Sequence, residues 1–125
     1  MAQWLHRPRA LDADLPAGDG SYTFASMAAD PHADLRDRAY ASVLDGPGQT
    51  EPALRRAAAD GAEVPAELQS LVHKIRHHAY KVTDDDLARL KSTYDDDQLF
   101  EIVVSAALGA SRTRLAAGLA ALDQA

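Results

Sequence analysis

The 125-residue chain contains no cysteine. Disulfides, thiolate nucleophiles and cysteine-ligated zinc are therefore excluded. Aromatic residues make up only 6%, so a core has to be built from aliphatic side chains. Alanine and leucine dominate, which favours helices over strands. Positive charge is also in short supply: 13 Lys and Arg against 19 Asp and Glu leave a net charge of −6. Nonspecific nucleic-acid binding needs clustered cations to neutralise phosphates, so no nucleic-acid partner is expected. No apolar run approaches the ~20 residues that span a bilayer, so no membrane association is expected either. The first residues, Met1 to Pro8, lack the apolar stretch of a secretory signal. A cytoplasmic location is the expectation. No Gly-rich phosphate loop, serine nucleophile elbow or HExxH pattern occurs.

What is present is an ordinary globular composition, 46% hydrophobic and 26% charged. A chain of this length fits one domain and buries roughly two-thirds of its unfolded surface. Residues 1–29 hold Pro8, Pro16, Gly18 and Gly20 and keep no sustained period, so they read as an irregular arm. Trp4, Leu5, Tyr22 and Phe24 would let that arm dock, on a neighbouring subunit in the sharper reading. Residues 30–125 read as a single helical domain. A first helix is expected from Pro31 to Leu44, capped by Asp30, with Leu35, Ala39, Tyr40 and Val43 as its apolar stripe and Gly46-Pro47-Gly48 as its stop. A second, shallow one is expected from Glu51 to Asp60, capped by Thr50 and ended by Gly61. A third is expected from Pro65 to Tyr80, with Leu68, Leu71, Val72, Ile75 and Ala79 on one face. Thr83 caps a short fourth helix whose first turn holds Asp84, Asp85 and Asp86. Asp95, with Gln98 as capping-box partner, opens a last helix from about Asp96 to Leu122. This helix is apolar nearly all round from Ile102 to Ala110, and Leu108, Leu115, Leu119 and Leu122 form a second stripe. The fold class is all-α, a small bundle of about five helices.

The run from Tyr80 to Leu90, followed by Asp96 to Ala110, resembles the AhpD-like (carboxymuconolactone decarboxylase-like) superfamily. In that family a helix ends in a Cys-x-x-Cys-x-x-x-His motif, and a short helix, a turn and a long Ala-rich helix with an acidic cap follow. The similarity extends over about Pro65 to Leu122. It implies an AhpD-like bundle that forms a homo-oligomer. Counted back from Leu90, the family's two cysteines and histidine fall on Ala79, Val82 and Asp86, none of which supports dithiol chemistry. The turn Lys91-Ser92-Thr93-Tyr94 lacks the family's glycine and runs one residue shorter. The resemblance places a proton-relaying glutamate near Glu67. Peroxidase activity is not expected, and no cofactor is implied. The decarboxylase branch works without cysteine, but its residues find no match here.

Two constellations on the third helix could carry chemistry. His73 and His77, at i and i+4, can share a metal ion, with Asp84, Asp85 or Asp86 as the nearest third ligand. They lie about 140° and 180° from the centre of the apolar stripe, so a solvated face is the plainer reading. Glu67, Lys74 and His78, at i, i+7 and i+11, form a strip at the stripe's edge. A carboxylate, an amine and an imidazole there could perform acid–base work, or simply be surface charge. The acidic triplets Asp84–Asp86 and Asp95–Asp97 read as helix caps, without an EF-hand pattern. Arg55, Arg56, Arg112 and Arg114 would bind an anion only if they converged. Two functions follow as expectations. One is a cysteine-less, non-catalytic AhpD-like protein that binds a small-molecule ligand or protein partner or serves as an oligomeric structural protein. The alternative is a lyase or isomerase using His78 with Glu67 and Lys74.

Overall fold

The computed structural model describes residues 30–125. The expected arm, with Trp4, Leu5, Tyr22 and Phe24, lies outside the described residues. The rest is all-helical: α1 (Ala33–Asp45), α2 (Pro52–Asp60), α3 (Ala66–His77), a 3-10 turn (Ala79–Lys81), α4 (Asp84–Ala88) and α5 (Asp96–Gln124). No strand occurs among the described residues. No helix among them is long and apolar enough to cross a membrane.

The capping box expected at Asp95 forms, and the expected Thr83 cap proves to be a second one. Thr83 Oγ1 accepts from the Asp86 amide at 3.3 Å, and the Asp86 carboxylate accepts from the Thr83 amide at 2.9 Å. At α5, Asp95 Oδ1 accepts from the Gln98 amide at 2.8 Å and Gln98 Oε1 from the Asp95 amide at 3.0 Å. Each box satisfies amides that a helix start otherwise leaves orphaned.

The core is the inner face of α3 (Leu68, Leu71, Val72, Ile75) against Leu99, Ile102 and Ala106 of α5, closed by Ala58, Val64 and Leu90. Contrary to the shallow packing expected of it, α2 makes the most extensive contact with α5. Small side chains explain this. Ala58 and Ala59 are fully buried, and Gly109 meets them so closely that a methyl group built on it would overlap the Ala59 carbonyl.

The helix ends show where pattern alone misleads. The expected stripe of α1 is not its buried face: Leu35 is 60% exposed, and Leu44 is buried instead. α1 is fastened at its C-terminal end, where Arg55 donates to the carbonyls of Val43 at 2.7 Å and Gly46 at 2.6 Å. Thr50 does not cap α2. Its amide (2.8 Å), its hydroxyl and the Gln49 amide (2.6 Å) all donate to Glu101, tying the α1–α2 loop to α5. α3 ends at His77, and Ala79, expected on its apolar face, sits exposed in the 3-10 turn. His78 leaves helical geometry at φ −146°, ψ 54°, turning the chain toward Thr83.

Candidate functional site

Glu67, Lys74 and His78 share a strip of sequence but not a site. Glu67, in the first turn of α3, is exposed and accepts a 2.8 Å hydrogen bond from the Tyr94 hydroxyl. Its own backbone amide, then the tyrosine, hold its carboxyl below the usual range. Tyr94 is pushed up to about 12, by burial first and then by Glu67. A phenol that firmly protonated at neutral pH is a strut, not a proton donor in exchange.

Lys74, two turns along α3, points to Asp86 instead. Its ammonium donates to both carboxylate oxygens, at 3.0 and 2.9 Å. Asp86 is buried, takes a further 3.0 Å bond from Arg89, and closes the α4 capping box. The Lys74 ammonium first, and the Thr83 amide next, hold its carboxyl down at about 2. Asp86 is thus the hub that fixes α4 on α3.

His78 lies at the end of α3, exposed, with its ring 6.2 Å from that of His73 and 6.0 Å, edge-on, from that of Tyr80. The hollow lined by Glu67, Ser70, Leu71, Asp86, Arg89 and Leu90, about 260 Å³, includes neither Lys74 nor His78. The larger groove, about 580 Å³, runs along α3 beside Gly61–Val64 and includes Lys74, His73, Arg76 and His77, but neither Glu67 nor His78. Neither of these two hollows gathers two of the three.

His73 and His77 come together as their spacing requires, with ring centroids 4.8 Å apart on the exposed face. A zinc site needs at least three protein ligands, and among the described residues no group of three metal-ligating side chains assembles. Burial first, and then the positive charges of His73, Arg76, His78 and Arg114, push the His77 imidazole below its ordinary value. In this groove Arg76 is already bonded to the Ala59 carbonyl, and Lys74 to Asp86.

The four arginines do not converge. Arg55 is buried on the end of α1, Arg56 pairs with Asp45, Arg112 lies 4.9 Å over the Tyr40 ring, and Arg114 donates to the Arg76 carbonyl at 2.7 Å. Sequence reasoning missed the structural parts of Arg55, Asp86 and Glu101. Only the Thr83–Asp86 spacing carried any local signal. No family model, no curated protein and no solved structure matches the chain.

Proposed function

We propose that this chain is a non-catalytic, self-associating helical protein, a cysteine-less relative of the AhpD-like proteins that works by binding rather than turnover. The observation that carries this reading is the separate engagement of its three acid–base candidates: Glu67 with Tyr94, Lys74 with Asp86, and His78 among the rings of His73 and Tyr80. A general acid or base must reach the same reacting atom as its partner, within about 3 Å or through one water. Groups lining different hollows do not meet that condition. The helix order supports the kinship: α3, a tight turn, short α4, then a long acid-capped α5. At the positions counted to the redox motif stand an exposed turn residue, Ala79, a part-buried apolar residue, Val82, and a buried ion-pair hub, Asp86.

The partner is a second copy, and the cytoplasm is its proposed location. The test is a turnover screen with peroxide plus dithiol and with carboxylated γ-lactones, run on the full chain and on His78→Ala. No turnover by either protein is expected. Lactone turnover that disappears in His78→Ala would install the lyase reading instead.

A further inference from the structure

α5 carries two apolar sides, and the fold uses one. At about 100° per residue, Leu99, Ile102, Ala106, Gly109 and Ala110 gather on the side buried against α2 and α3. On the opposite side run Val104, Leu108, Ser111, Leu115, Gly118 and Leu122, separated by four, three, four, three and four residues. That alternation is the 3.5-residue seam of a helix pair. None of the six is charged. Val104 and Leu108 are part-buried, while Leu115 and Leu122 are 38% and 53% exposed; Phe100, on the seam's edge one turn before Val104, is 69% exposed. α1 borders this side at Leu115, through a hollow shared with Arg36, Asp37 and Tyr40, while Ser111, Gly118 and Leu122 stay exposed.

The order of sizes along the seam is regular. Leu108, Leu115 and Leu122 take every first position of the heptad; Val104, Ser111 and Gly118 take every second. We infer that α5 pairs with α5 of a second copy, antiparallel, about a two-fold axis between Ser111 and Leu115. This rests on the self-association proposed above and gives it an interface. In that register Val104 faces the partner's Leu122, Leu108 the partner's Gly118, and Ser111 the partner's Leu115, and the same pairs recur with the copies exchanged, as a two-fold requires. Every layer then sets a leucine against a smaller residue, the large-against-small match that fills a helix interface. A parallel pair would stack leucine on leucine and glycine on glycine, alternating crowded layers with empty ones.

Gly118 supplies an independent observation. α5 has two glycines. Gly109 is explained inside the chain, because a methyl there strikes Ala59; a methyl on Gly118 would meet nothing within 4 Å. Glycine in an exposed helix interior costs up to ~1 kcal/mol against alanine. Close approach by the partner's Leu108 is the reason the described residues do not provide. The arginines nearest the axis, Arg112 and Arg114, are drawn to their own chain by Tyr40 and the Arg76 carbonyl.

The size of the contact sets its strength. From Phe100 to Leu122 the helix rises roughly 33 Å, and at a width of about 10 Å it offers a footprint of roughly 330 Å² per copy. A standard stable interface uses about 800 Å² of accessible surface per partner, so the dimer belongs to the weak, transient class.

The test is sedimentation velocity of the full chain from micromolar to millimolar concentration. It is paired with Leu115→Glu/Leu122→Glu, Gly118→Ala, and Asp123→Cys carrying a spin label, cysteine being absent elsewhere. Expected are a concentration-dependent dimer, its loss in the double glutamate variant at unchanged helicity, and at least tenfold weaker association for Gly118→Ala. The label, set off the seam, should report about 30 Å between copies, the rise of some 20 residues. A monomer at every concentration would overturn both this interface and the self-association reading. A dimer indifferent to the glutamates overturns the seam alone. A dimer that needs the seam but holds the labels within about 15 Å overturns the antiparallel register.

Discussion

Two residues in this protein behave against their type. Ser105 is wholly buried on α5, and its hydroxyl has no hydrogen-bond partner among the described residues. An unsatisfied buried polar group costs roughly 1–3 kcal/mol, and removing it without changing shape is neutral or better. Ser105→Ala should therefore leave stability unchanged or raise it by about 1 kcal/mol, read by urea unfolding. Asp86 is the opposite case, a buried carboxylate with every oxygen engaged by Lys74, Arg89 and Thr83. Its folded-state value of about 2 lies below the ordinary 3.8. As pH falls through 3.8 the unfolded chain takes up a proton that the folded chain still refuses. The stabilisation is thus complete above about 4 and is lost progressively towards 2. Glu67, Glu101 and Asp45 are shifted in the same sense. Acid titration of the wild type and Asp86→Asn should show the variant less stable at pH 7, with the difference shrinking towards zero near pH 2.

At the scale of elements, the helices differ in what holds them. α5 starts on a cap that is wholly local, so Asp95→Ala should cost about 1 kcal/mol in thermal or urea unfolding, the usual loss for an N-cap. α1 is held from outside. Arg55 lies in the next helix and supplies donors to carbonyls that a helix C-terminus leaves unpaired. Arg55→Ala should release α1: hydrogen exchange of its amides should rise by at least tenfold while α3 and α5 keep their protection. Gly109 shows why α2 packs deeply although it offers mostly alanine. Gly109→Ala should cost about 1–3 kcal/mol by pushing α2 off α5, the usual range for overpacking. Gly118→Ala, in the same helix, should stabilise the isolated monomer. Spacing predicted the apolar faces of α3 and α5 well, because each has long aliphatic residues at helical intervals. It misplaced the stripe of α1, because Leu35 and Val43 recur at helical spacing without a neighbour among the described residues to bury them.

At the scale of the molecule, the acidic charge, the missing cysteines and the two-sided α5 combine into one picture. The charge disfavours nonspecific phosphate binding, the absence of cysteine removes thiol chemistry, and the long helix carries the apolar flank on which the proposed self-association rests. Fold class, helix number, the Thr83 cap and the Asp95–Gln98 capping box were legible in the sequence, because they depend on residues within four positions of one another. The same local reach explains what was not. Glu67, Lys74 and His78 fall on one strip by spacing, yet Glu67 and Lys74 are engaged by Tyr94 and Asp86, which later segments deliver. The sequence by itself determined an all-helical, cysteine-free chain with a doubly apolar last helix, since propensity, periodicity and composition are local quantities. Only the tertiary structure decided that Arg55, Asp86 and Glu101 are struts and that the acid–base trio is dispersed, because burial and hydrogen-bond partners come from residues distant in the chain.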